Sequence, residues 1–291
     1  MLFRSPFDSV FDPGFKERFT LYDDLEAGRL TKGQVIFENR LSPRQVAHVA
    51  ALYDGEIAQV DAALADLLVY VARPEVQPLL VVLTSDHGES LGEHGYHFAH
   101  GEYLYQETLR VPFLVSLPGR IPAGLRVEAL AENVDVMPTI IALLGLHREQ
   151  ALDGRPLLVP GAAAGPEIPG AWGAAPGRSV IYAESDFQLI HPENRRYYLP
   201  GPAGKWSSAF DGRYKLIHIP RSGGEIVEFY DLADDPGETR NLEGMGASPE
   251  ARRRLLRELE GFVDYDAGAP NRPREIDQEE RKRLKSLGYI N

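Results

Sequence analysis

The sequence contains no cysteine in its 291 residues. That excludes disulfides, thiolate metal sites and an unmodified cysteine nucleophile together. It also lacks any apolar run near the ~20 residues that a membrane-spanning helix needs. It has no positive excess: 31 Lys and Arg against 43 Asp and Glu leave a net charge of −12, with His counted neutral. Binding a phosphate backbone takes a basic face, so nucleic acid is excluded as a partner. The start, Met1-Leu2-Phe3-Arg4-Ser5-Pro6, lacks the charged-then-apolar layout of a signal peptide, and the chain as written reads as cytoplasmic. What is present is ordinary globular composition, 43% hydrophobic and 25% charged. At roughly 150 residues per domain, the length suggests about two domains, or one large domain with an appendage.

Residues 1–41 show no sustained period and read as loop. Ser42 then suits an N-cap and Pro43 a first helical position. Val46, Val49, Tyr53, Ile57, Val60, Leu64, Leu67 and Val71 recur at spacings of three and four, which predicts one long core-packing helix ending before Pro74. The apolar run Leu79–Thr84 predicts a strand buried on both faces of a parallel or mixed sheet. A second strand is expected at Val111–Leu117, and a helix from about Asn133 to Leu144, closed by Gly145. This alternation is an α/β pattern. Residues 159–178 are rich in Gly, Pro and Ala and read as a linker or long loop. Beyond them, short β-branched and aromatic segments (179–183, 195–199, 208–210, 214–219 and 228–232) predict a small antiparallel sheet. A charged amphipathic helix follows from Ser248, and a last one is expected over about 277–287.

The chemistry concentrates in Thr84–Pro112. Four of the eight histidines lie there (His87, His94, His97, His100), with Asp86, Glu89 and Glu93 beside them. Ligands of open α/β sheets gather at the carboxyl ends of strands, where Asp86 and His87 are expected. An adjacent carboxylate and imidazole on a turn can face one cation, and the imidazole shifts preference from hard cations toward Mn²⁺ or Zn²⁺. An Asp in this place also serves simply as a helix cap, so the pair alone leaves both readings open. His94, His97 and His100 share a three-residue spacing that could line a zinc-binding helix face, but Gly95 and Gly101 favour a loop.

Several ordered segments carry a resemblance. Leu52–Asp61 resembles the helix, and Thr84–Gly95 the strand-end metal segment, of the sulfatase family within the alkaline-phosphatase superfamily. His100-Gly101 with Leu104–Pro112, Val134–Ile140, Asp153–Leu157, Tyr230–Leu232, Asp235–Leu242 and Leu287-Gly288-Tyr289 are similar to its later landmarks. The resemblance runs from about residue 45 to the C-terminus. It implies hydrolysis of sulfuric esters at a divalent cation, usually Ca²⁺, by a formylglycine made from a Cys or Ser in a Cys/Ser-x-Pro-x-Arg motif. On this resemblance Asp86 and His87 are the metal ligands. His100 falls near the sulfate-binding position, as a catalytic and substrate-binding group. Many members carry Asn where His87 stands. Those with His are similar to phosphate and phosphonate ester hydrolases of the superfamily, which opens Mn²⁺ or Zn²⁺ and a phosphorylated ester as alternatives.

The nucleophile motif and the family's two N-terminal Asp ligands are read as missing, so the chain resembles the C-terminal portion of a sulfatase, incomplete for catalysis. A non-catalytic fragment or pseudoenzyme is the rival reading. The expected fold is a partial alkaline-phosphatase-like mixed sheet flanked by helices, of class α/β, plus a small C-terminal subdomain of antiparallel sheet and helix. The expected division is residues 1–158 as part of the catalytic domain, 159–178 as linker and 179–291 as the small subdomain. The substrate is expected to be a small sulfated ester.

Overall fold

The computed structural model describes residues 6, 7, 9–16, 27–29, 41–101, 103–148, 151–161, 172–185, 205–221, 224–268 and 282. The strand expected at 195–199 and the helix expected at 277–287 lie outside, or almost wholly outside, these residues.

Helix α1 spans Pro43–Val71. Its start is set by a capping box: Gln45 N–H donates to the Ser42 hydroxyl, and Ser42 N–H donates to the Gln45 side chain. Val49, Ala51, Leu52 and Gly55 are buried. The second half departs from the expected core stripe. Ile57 is 54% exposed, Val60 57% and Leu67 53%. Hydrophobic periodicity records that a face needs cover, not that the cover is at hand.

Strand β1 (Val81–Thr84) pairs antiparallel with β4 (Phe113–Ser116), with Val81 opposite Ser116 and Thr84 opposite Phe113. Among the described residues these two strands form a ladder of their own, and β1 is half-buried, not enclosed on both faces. Between them lies a small hairpin of β2 (Ser90–Leu91) and β3 (His97–Ala99), joined by a 3₁₀ turn at Glu93–Gly95. The one-turn helix α2 (Gln106–Leu109) leads back into β4. A 3₁₀ turn at Asn133–Asp135 opens α3 (Val136–Leu144), which ends at Gly145 in the left-handed conformation, φ 65°. Strands β5 (Leu158–Pro160) and β6 (Trp172–Ala174) pair across the Gly/Pro-rich stretch.

The C-terminal part is a four-stranded antiparallel meander. It consists of β7 (Ile181–Ser185), β8 (Trp206–Phe210), β9 (Tyr214–Arg221) and β10 (Gly224–Asp231), with helix α4 (Pro249–Gly268) against it. Strand alternation divides its apolar residues between two faces. Ala209, Leu216 and Phe229 pack with Leu255 and Leu259 of α4. Trp206, Ile217, Ile219 and Tyr230 pack on the other side against Leu104 and Tyr105. The His-rich segment is thereby held on the sheet face opposite α4.

A buried polar seam reinforces that contact. Lys215 and Glu238 are about 99% buried and lie 2.6 Å apart. Glu238 also accepts the Gln106 backbone N–H at 2.6 Å, at the start of α2. Glu228 accepts the hydroxyls of Tyr105 and Tyr230. No helix among the described residues is long and apolar enough to cross a membrane.

Candidate active site

The site begins where β1 stops. Ser85 hydroxyl donates to the His87 carbonyl at 2.8 Å, and Gly88 N–H donates to the Thr108 carbonyl at 2.8 Å. Gly88 is required by space: a Cβ there would stand 2.0 Å from the Glu107 carbonyl oxygen. From 47 residues away, the Asn133 amide donates to the Asp86 carbonyl at 2.9 Å. These bonds hold residues 85–88 in a turn that exposes the Asp86 carboxylate, whose side chain is 65% accessible.

Asp86 Oδ2 and His87 Nε2 lie 3.7 Å apart. Two donors bound to one divalent ion at about 2.0–2.5 Å stand roughly 3–4 Å from each other, so the pair can share a cation without rearrangement. His87 Nδ1 is 2.8 Å from the Gly88 carbonyl oxygen. A carbonyl only accepts, so Nδ1 carries a proton and is tied to Gly88, which turns Nε2 to the Asp86 side. Partial burial works against ionisation of Asp86. The His87 charge and the hydrogen bond from the His87 N–H outweigh it and hold the carboxyl below its ordinary value.

His100 joins this pair from across the β2–β3 hairpin. Its ring stacks on His87 with centroids 3.8 Å apart, and its Nδ1 lies 2.6 Å from Glu89 Oε2. The bond to Glu89 raises the His100 pKa above the usual imidazole value, against the opposing effect of burial. His87, Glu89 and His100 form a group whose ligand atoms lie within 4.8 Å of one another. Asp86, His87 and His100, separated by up to 14 residues, are therefore assembled at one place. Glu89 and Asn133 are added to them. Glu89 is signalled in the sequence by its position two residues after His87. Asn133 carries no local signal.

The other histidines go elsewhere. His97 is buried at 4% exposure in β3. His94 stacks on Tyr105, centroids 3.6 Å apart, and its Nε2 is 3.9 Å from Glu107 Oε1. The three-residue His spacing thus forms no common ligand face. His94, Glu107 and Glu238 make a second group within 4.8 Å, but Lys215 already sits 2.6 Å from Glu238 with its own positive charge. Burial pushes the Glu107 carboxyl up to about 7, and burial lowers His94.

One expectation needs correction. The Ser-x-Pro-x-Arg letters do occur, once, at Ser116-Leu117-Pro118-Gly119-Arg120. They do not build a nucleophile here. Ser116 pairs with Val81, at the opposite end of β1 from the Asp86 turn and about 10 Å along the strand from Thr84. Arg120 is committed to the Leu143 carbonyl at 2.8 Å.

The family model described as Sulfatase matches residues 12–146. The multifunctional alkaline phosphatase superfamily protein PehA of Trinickia caryophylli is 32% identical over 228 residues, covering 76% of this chain and 41% of its own length. Human arylsulfatase K is 31% identical over 230 residues, covering 78% and 39%. Among solved structures, the phosphonate monoester hydrolase of Agrobacterium radiobacter superposes with a TM-score of 0.64 at 24% identity, over 90% of this chain and 53% of that one. It shares the fold. The chain thus spans about two fifths of the length of these curated relatives. With the ordered motifs from Leu52 to Leu242, these matches place the chain in the sulfatase family of the alkaline-phosphatase superfamily.

Proposed function

We propose that this chain carries part of the site of a sulfuric ester hydrolase, in which Asp86 and His87 hold a divalent cation and His100 faces the ester. The observation that supports it best is the orientation of the His87 ring: Nδ1 is tied to Gly88, and Nε2 stands 3.7 Å from Asp86 Oδ2. When bound, such a cation supplies charge neutralisation for an anionic ester. The residues present do three things toward that end. Asn133 and Gly88 hold the ligand turn in shape. Asp86 stays ionised and so remains available as a hard ligand. His100 brings a ring nitrogen beside the cation pair, where a positive imidazole offsets charge on the sulfate or on the leaving oxygen. The family's formylglycine and its other cation ligands belong to parts of the fold that these residues do not supply. The division at 1–158, 159–178 and 179–291 assigns the chemistry to the first segment and its backing to the third.

A phosphate or phosphonate ester is the second reading, favoured by His87 and by the name of the Agrobacterium enzyme, a phosphonate monoester hydrolase. Ca²⁺ suits the carboxylate, and His87 admits Mn²⁺ or Zn²⁺. The deciding experiment measures turnover of an aryl sulfate and an aryl phosphonate by one preparation of a full-length enzyme in which the nucleophile-bearing part of the fold accompanies these residues, wild type and Asp86→Ala. Preferred sulfate turnover lost in Asp86→Ala supports the first reading, and preferred phosphonate turnover supports the second. Sulfate turnover unchanged in Asp86→Ala contradicts both.

A further inference from the structure

The β2–β3 hairpin does more than bring His100 near His87. Its last paired residues are Ser90 and Ala99, so Glu89 and His100 are the next step out on the two strands and face each other across the ladder. The two side chains differ in exposure: that of Glu89 is 11% accessible and that of His100 41%. The carboxylate is the fixed member, seated near Tyr53 of α1, whose hydroxyl is pushed up by burial and by the Glu89 charge. The imidazole is the presented member.

Resting on the reading of residues 86–100 as the ester-binding pole, we propose that Glu89 is a positioning residue that fixes the His100 ring, with Nδ1 bound inward and Nε2 presented to the substrate. A carboxylate only accepts, so the 2.6 Å contact requires the proton on His100 Nδ1. His87 covers one face of the ring at 3.8 Å, and its own Nδ1 is bound to the Gly88 carbonyl. The two imidazoles are therefore stacked with both Nδ1 atoms anchored to oxygens, and both Nε2 atoms on the ring edges away from those anchors. His87 Nε2 serves the cation and His100 Nε2 serves the ester oxygen. A rival role follows from the same geometry, since Glu89 lies close enough to His87 and His100 to be a metal ligand.

The two roles separate in one set of measurements on the 291-residue chain. Wild type, Glu89→Ala, Glu89→Gln and Asp86→Ala are labelled with ¹⁵N-histidine, and MnCl₂ affinity is measured on the same samples. Positioning predicts that the wild-type His100 ring shows a protonated Nδ1. Glu89→Ala shifts both ring nitrogens toward the averaged values of a free imidazole, and Glu89→Gln, which keeps an acceptor oxygen, restores part of the preference. Mn²⁺ affinity stays within about twofold in both Glu89 variants and falls at least about tenfold in Asp86→Ala. Unchanged His100 nitrogens in Glu89→Ala overturn the proposal. A tenfold loss of Mn²⁺ affinity in Glu89→Ala also overturns it, and makes Glu89 a ligand. If the His100 nitrogens shift while Asp86→Ala leaves Mn²⁺ affinity intact, positioning stands and the cation reading of Asp86 fails.

Discussion

Two clusters in this molecule are built from the same residue types and behave in opposite ways. At the end of β1, Asp86, His87 and His100 lie partly open to water, with both imidazole Nδ1 atoms anchored to oxygens and His87 Nε2 on the side of the exposed Asp86 carboxylate. Some residues further on, His94, Glu107 and Glu238 are packed around Lys215, which is 1% exposed. The first cluster has donors to spare and little burial. The second has its charge compensated from within by Lys215, and burial pushes Glu107 and His94 toward their neutral forms. Collecting His and Glu is therefore not enough to make a site. An open cluster with spare donors has capacity for a ligand, whereas a closed cluster holding its own ammonium serves as a fastener.

The largest effect expected from breaking this contrast lies in the fastener. Lys215→Met leaves the Glu238 carboxylate buried and uncompensated, and should remove about 3–5 kcal/mol of stability in urea titration. Adding Glu238→Gln to it should restore part of the loss. Next comes the apolar side of the same contact. Leu104→Ala cuts a side chain packed against Ile217 and Trp206, and should remove about 2–5 kcal/mol by the same measurement.

The third effect is one of pH. Glu107 has a folded pKa of about 7 against an ordinary 4.5, so between these values the folded chain holds a proton that the unfolded chain has released. Its contribution to stability is fully present below the ordinary value and is lost as pH rises through about 7. Wild type should thus melt lower at pH 8 than at pH 5 by more than Glu107→Gln does. An equal slope in both would remove Glu107 from the account. The smallest effect belongs to the open cluster. Asp86→Asn alters an exposed side chain and should leave the unfolding free energy within about 0.5 kcal/mol of wild type.

The sequence reveals these two clusters unequally. Asp86 and His87 are adjacent and follow an apolar run, so their place at a strand end is readable from local order alone. His100 depends on the resemblance, because the hairpin that returns it to His87 is formed by strands of only two and three residues. The bond from Asn133 to Asp86 and the Lys215–Glu238 pair join residues 47 and 23 positions apart. Tertiary packing creates them, and no period in the chain encodes them. The capping box at Ser42 is local and correspondingly plain. The stripe on α1 is plain as well, yet Ile57, Val60 and Leu67 stand exposed. The antiparallel partner of β1 is hidden for a related reason: an apolar run shows that a strand wants burial without naming its neighbour.

The central claim is that a cation belongs at the open cluster and not at the closed one. Mn²⁺ is paramagnetic and broadens nearby nuclei, so titrating MnCl₂ into ¹⁵N-histidine-labelled protein reads both clusters at once. The ring signals of His87 and His100 should broaden first, while that of His94 stays sharp, and Asp86→Ala should abolish the early broadening. Early broadening of His94, with His87 and His100 unaffected, would contradict it.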